Sequence, residues 1–141
     1  MLILVANLGS TSFKYRLFRM DGAVAEVVAK GGYERVTDYA TVIGDAIETL
    51  RRDGIIATPD EIGAVGFKTV LGKDLSGCVI ADQAVIDALE GFAAVAPAHN
   101  PPYAAGIRQF ARILPKARLV ALFETAFYQW VPSAASVYAV P

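Results

Sequence analysis

A chain of 141 residues is long enough for one well-buried core and too short for two ordinary domains, so a single domain is expected. Its 13 Lys and Arg are interspersed with 14 Asp and Glu, which leaves neither a basic stripe to track a nucleic-acid backbone nor an acidic tail, so nucleic acid is not an expected partner. Hydrophobic residues make up 55% of the chain, with a mean hydropathy of +0.43. That is high for a soluble chain of this size, and part of the apolar surface is expected to meet a partner or a second domain.

Residues 2–6 form a continuous apolar run suited to a strand buried on both faces. No positive region precedes the run and it breaks at Asn7, which supports neither a signal peptide nor a membrane span; a soluble protein is expected. Residues 13–19 alternate Phe13, Tyr15 and Leu17 with Lys14, Arg16 and Arg19, and should pair with the first strand as a hairpin. Asp21-Gly22 marks a tight turn into a third strand over residues 23–29, which Gly31-Gly32 is expected to end. From Asp38 the period changes, because Tyr39, Val42, Ile43, Ala46, Ile47 and Leu50 fall at helical spacing. Thr37 or Asp38 suits the start of that helix and Gly54 its end.

Ile62 to Val70 reads as a further buried strand, whereas Val79-Ile80 is too short to assign. Cys78 cannot form an internal disulfide, being the single cysteine, and in Gly77-Cys78-Val79-Ile80 it reads as a small buried hydrophobe in a reducing, cytoplasmic compartment. A second helix is expected over residues 82–92. A third follows Asn100-Pro101-Pro102, where an Asn cap and early prolines suit a helix start. Arg118 to Phe123 reads as a last strand, followed by a turn and the segment Ala126 to Trp130. The order predicts an α/β layer on a mixed, five-stranded sheet that opens with three antiparallel strands.

The stretch Asn7-Leu8-Gly9-Ser10-Thr11-Ser12-Phe13-Lys14 carries the most chemistry. Gly9 lets the backbone turn tightly and approach a ligand, Ser10, Thr11 and Ser12 bring hydroxyls beside free backbone N–H groups, and Lys14 adds a positive charge. That is a phosphate-binding hairpin in outline. The same residues also suit an ordinary polar β-turn.

Four segments in order resemble the acetate kinase family, within the actin-like and sugar-kinase ATPases. Asn7 to Tyr15 resembles its N-x-G-S-S-S-x-K-Y opening, and Ala96-Pro97-Ala98-His99-Asn100-Pro101-Pro102 its A-P-L-H-N-P segment. Phe123-Glu124-Thr125-Ala126-Phe127-Tyr128 resembles F-D-T-A-F-H, and Val131-Pro132 to Tyr138-Ala139-Val140-Pro141 resembles M-P…Y-x-L-P. The resemblance covers essentially the whole chain. It implies a ribonuclease H-like, actin-like ATPase domain that takes part in phosphoryl transfer between ATP, with Mg²⁺, and a short-chain carboxylate, giving ADP and an acyl phosphate. Such transfer is mainly a matter of positioning and of stabilising charge on in-line oxygens.

By that resemblance Asn7 lies near the phosphates and the metal, and Gly9, Ser10, Ser12 and Lys14 form the supporting loop. His99, the only histidine, would steady the transferring phosphoryl group, or else bond locally at the helix start. The family's H-R-V-V-H-G-G segment is here Phe67-Lys68-Thr69-Val70-Leu71-Gly72-Lys73. Lys68 therefore stands for the arginine that grips the anion, keeping the charge without the planar fork. Glu124 replaces an aspartate and could orient Lys68 or the acceptor, or simply end the strand. Val70 matches a residue lining the acyl pocket, whereas Ala98 stands where the family has leucine, which implies a wider pocket and a substrate bulkier than acetate.

Family members are longer and build the site in a cleft between two related domains. The H-G-T-S-H segment, the glycine-rich nucleotide loops, the second arginine and the metal-binding glutamate are not in this sequence. The chain is thus expected to be the N-terminal domain over residues 1–141, inactive as this half alone, with a homodimer or a complementary C-terminal half as partner. The alternatives are a non-catalytic remnant that binds a carboxylate, a phosphate or a protein, and a purely structural or oligomerisation domain.

Overall fold

The computed structural model describes residues 1–136. Its strands are β1 (Leu2–Leu8), β2 (Ser12–Asp21), β3 (Val24–Glu34), β4 (Ile62–Thr69), β5 (Gly77–Ile80) and β6 (Arg118–Phe123). Its helices are α1 (Tyr39–Arg52), α2 (Gln83–Gly91), α3 (Asn100–Ile113) and the short α4 (Ser133–Ser136), with 3₁₀ turns at Pro59–Glu61 and Glu124–Tyr128. The Tyr138 to Pro141 part of the closing motif lies outside the described residues.

The strands form one mixed sheet in the order β3-β2-β1-β4-β6-β5. The antiparallel pairs β1/β2 and β2/β3 open it, β1, β4 and β6 run parallel, and β5 returns antiparallel along β6. This is the expected ribonuclease H-like mixed sheet, with six strands where the sequence suggested five. The sixth is β5, a four-residue edge strand in register with Val120–Phe123. It corrects the reading of Cys78, which is exposed and not buried, because it lies opposite Leu122 on the outer face of the sheet edge. β3 also runs through Gly31-Gly32 to Glu34, past its expected end. Gly31 is in register with Tyr15, and a Cβ there would lie 2.6 Å from the Tyr15 ring. The glycine makes room for the aromatic and does not break the strand.

Alternation along the strands separates two faces. Leu4, Ala6 and Leu8 of β1, Phe13, Tyr15 and Leu17 of β2, Val65 and Phe67 of β4, and Leu119, Ala121 and Phe123 of β6 are buried. They meet Ile43, Ala46, Ile47 and Leu50 of α1, Val85, Ile86 and Leu89 of α2, and Tyr103, Ile107 and Phe110 of α3 in one core. The Phe110 ring packs edge-on against both Phe13 and Phe67. Gly106 brings α3 close to the sheet, since a Cβ there would fall 2.3 Å from Leu8 Cδ1. Asp38 caps α1, accepting from Ala40 N at 2.9 Å, and the Gly54 amide donates to Arg51 O at 3.1 Å at its end.

Among the described residues no helix covers the opposite face. Val5, Leu122 and Ile80 are 43%, 48% and 55% exposed there, and the space above Gly66 is open. Strand register arranges this face in rows, one of which runs Lys30, Arg16, Val5, Gly66, Val120, Ile80.

Candidate functional site

The next row up the open face holds three of the residues singled out from the sequence, Asn7, Lys14 and Lys68. Gly32 is in register with Lys14, Lys14 with Asn7, Lys68 with Leu122, and Leu122 with Cys78. The β1/β4 ladder ends with Ala6 opposite Phe67, and Asn7 and Lys68 are the next residue along each strand, both on the open face. Asn7, Lys14 and Lys68 thus share one row on one face, at the carboxyl ends of parallel β1 and β4. That end of an open α/β sheet is where such folds bind ligands. The segment Asn7 to Lys14 contributes because the β1–β2 connection is tight: Gly9 N donates to Ser12 O at 2.7 Å, and a Cβ on Gly9 would lie 2.6 Å from Ser12 Oγ. Ser10 and Thr11 are exposed at the tip, while Ser12 is half-buried over Gly9.

Lys68 Nζ and Glu124 Oε1 form an ion pair at 2.8 Å, each side chain about half exposed. The carboxylate holds the ammonium above the usual lysine value, mainly through the hydrogen bond, with burial opposing it. Glu124 thus pairs with Lys68 and also stands where β6 ends, at Phe123. The pair lines a groove of about 760 Å³ with Leu122, Phe123, Ala126, Phe127 and Tyr128. Asn7 and Lys14 line a second groove of about 790 Å³ with Val5, Arg16, Phe18 and Lys30. Lys14 also reaches Glu34 Oε1 at 3.2 Å.

The helix layer approaches the same end of the sheet. His99 occupies the N-cap position of α3 without making a side-chain capping bond, and it is exposed. Its ring lies 6.4 Å from that of Tyr103. Buried Tyr103 senses the charges of both Lys68 and Glu124, and its phenol is pushed up, chiefly by burial. Asn100, fully buried, donates through Nδ2 to Leu71 O at 2.9 Å and to Leu89 O at 3.0 Å. It ties the start of α3 to the segment that follows Lys68. Ala98 is exposed, and Val70 is half-buried against the core.

Two tyrosines escaped the sequence reading. Tyr39 donates its hydroxyl to the Gly9 carbonyl, and the Tyr103 phenol lies within electrostatic reach of Lys68 and Glu124. Both fall at core-like helical spacing, and only contacts across long sequence separations reveal their polar ends. For a cation, Asn7 offers a neutral oxygen beside Lys14, and no group of three His, Cys, Asp or Glu among the described residues could hold a metal ion. That donor set fits an ion carried in by phosphates, as Mg²⁺ usually is, and not a cage of protein carboxylates.

A mixed sheet of this order, opened by an antiparallel hairpin and covered by helices on one face, is a ribonuclease H-like fold. The model of the acetokinase family matches residues 32–141, and the chain belongs to that family. It is 35% identical over 167 residues to the acetate kinase of Clostridium beijerinckii, across 100% of this chain and 41% of that protein. Among solved structures, Porphyromonas gingivalis acetate kinase superposes with a TM-score of 0.88 at 30% identity, covering 99% of this chain and 41% of that one. A propionate kinase from Francisella tularensis gives 0.79 at 27% identity, covering 99% and 41%. The chain thus spans about 40% of the length of these relatives. No helix among the described residues is long and apolar enough to cross a membrane.

Proposed function

We propose that this chain forms the N-terminal wall of an acetate kinase-like active site, in a cytoplasmic phosphotransferase that moves a phosphoryl group between ATP and a short-chain carboxylate. The observation that carries the reading is the single row of Asn7, Lys14 and Lys68 on the open face, beside the hydroxyl-rich turn. In this reading the turn's N–H groups and the Ser10 hydroxyl hold phosphate oxygens, and Lys14 offsets their charge. Asn7 supplies a neutral oxygen or amide to the phosphates and to the Mg²⁺ they carry. Lys68, oriented by Glu124, attracts the carboxylate or the transferring group. His99, exposed at the start of α3, serves as a hydrogen-bond donor to that group. Magnesium, when bound, supplies charge neutralisation across the phosphate oxygens.

A lysine in place of the arginine fork positions an anion less rigidly, and the exposed Ala98 leaves space where the resemblance implies leucine. A carboxylate longer than acetate follows, and the match to a propionate kinase supports it. The remaining three-fifths of the relatives' length is the proposed source of the second wall, either in the same polypeptide or in a partner.

The test is acyl phosphate formation, trapped with hydroxylamine, by the product of the natural gene supplied with Mg-ATP and acetate, propionate or butyrate. Product that rises from acetate to the longer acids supports both the activity and the wider pocket. Strict acetate preference overturns the pocket alone. No product with any acid, together with thermal stabilisation by acetyl phosphate, favours the second reading: a carboxylate- or phosphate-binding relative that lost catalysis. The Lys68 and Glu124 replacements are the observation that favours it.

A further inference from the structure

We propose that Tyr39 is a positioning residue for the β1–β2 turn: by holding the Gly9 carbonyl it aims the Ser10 N–H at a phosphate-bearing ligand. The proposal rests on reading that turn as a phosphate site. The turn is tied down at three places. Gly9 N donates to Ser12 O at 2.7 Å, Val36 N donates to Thr11 O at 2.9 Å, and Tyr39 Oη donates to Gly9 O. The first two bonds fix the Gly9 amide and the Thr11 carbonyl. Neither restrains the peptide plane between Gly9 and Ser10, and Gly9, lacking a side chain, offers little resistance to its rotation.

Among the described residues only the tyrosine bond sets that plane. A trans peptide points its C=O and the following N–H in opposite directions. With the Gly9 carbonyl held toward α1 in the helix layer, the Ser10 N–H is directed away from that layer, toward the side where Asn7 and Lys14 stand. The base of the device is firm, because Tyr39 is the first residue of a helix whose cap, Asp38, binds Ala40 N at 2.9 Å and Thr41 Oγ1 at 2.5 Å. Burial pushes the Tyr39 phenol up and is partly offset by the Ser12 backbone, so the hydroxyl stays protonated and able to donate at neutral pH.

The experiment titrates inorganic pyrophosphate into isotope-labelled chain and follows affinity, the Ser10 amide resonance and thermal stability in the wild type, Tyr39→Phe and Tyr39→Gln. The expected result is binding by the wild type with a large Ser10 response. Tyr39→Phe should bind roughly three- to ten-fold more weakly, the scale of one neutral hydrogen bond, and its Ser10 response should shrink. Tyr39→Gln, which restores a donor, should recover part of that response. Equal affinity and an equal Ser10 response in Tyr39→Phe overturn the proposal while leaving the phosphate turn in place. No pyrophosphate response at any residue of the wild type overturns both. Coupling is reciprocal, so pyrophosphate must also move the Tyr39 Cζ resonance of the wild type. If the variants fail to fold, an unmoved Cζ resonance overturns the proposal.

Discussion

The two faces of one sheet differ as sharply as two proteins. On the inner face, side chains at alternate positions of β1, β2, β4 and β6 are nearly all fully buried under three helices. On the outer face, residues one position away on the same strands are half exposed, and the charged ones meet each other or solvent. Period-two alternation is enough to separate the tasks, because moving one residue along a strand reverses the direction of its side chain. The inner face stores the stability. The outer face holds Asn7, Lys14 and Lys68, which the strands position and, for the two lysines, exposed ion pairs orient. Substitutions on the two faces should therefore separate cleanly into those that change stability and those that change ligand response.

The largest effect should come from the inner face. Phe110→Ala removes a fully buried ring that contacts Phe13 and Phe67, and is expected to cost about 3–5 kcal/mol. Denaturant unfolding checks it, and a loss under about 1 kcal/mol would show that the core does not converge on α3. A smaller loss is expected from Gly106→Val, where the new side chain must displace Leu8; overpacking of this kind costs about 1–3 kcal/mol. The melting temperature should fall without loss of secondary structure.

Outer-face changes should be smaller in stability and differ in sign. Arg16 stands directly opposite Lys30, and like charges so placed repel, so Arg16→Thr should stabilise the chain by about 0.2–1 kcal/mol. The gain should diminish in high salt. The smallest effect belongs to the Lys68–Glu124 pair. Its lysine is raised when folded, so its contribution is present below the ordinary lysine value and is lost as pH climbs through the raised one. At half exposure that contribution should stay below about 1 kcal/mol. Lys68→Met should therefore leave the melting temperature at neutral pH nearly unchanged and flatten whatever alkaline dependence the pair causes. The same substitution should abolish stabilisation by acetyl phosphate, and that contrast between stability and ligand response is what the two-face account requires.

How much of this was legible in the sequence follows from the range of the contacts involved. The β1–β2 hairpin, α1 and β6 were readable because each declares itself within a dozen residues, through alternation, helical spacing or an apolar run. β5 was not, since four residues carry too little pattern and its strand character comes from pairing with β6, some forty residues away. The reach of β3 through Gly31-Gly32 was hidden for the same reason, as Gly31 answers to Tyr15 and Gly32 to Lys14 across the ladder. Cys78 was misread because small apolar residues look alike on covered and uncovered faces. At the site, the hairpin motif and the pairing option for Glu124 were visible as residue chemistry. The row that joins Asn7 to Lys68 needed the β1/β4 register, and Tyr39 needed a bond spanning 30 residues.

The measurement that tests the central claim most directly is amide chemical-shift mapping of the labelled chain during titration with acetyl phosphate. The account predicts saturable shifts concentrated at Asn7 to Lys14 and around Lys68, with Ile43, Leu50 and Ile107 of the helix layer unmoved. Shifts centred on the helix layer, or none at saturating ligand, would contradict it.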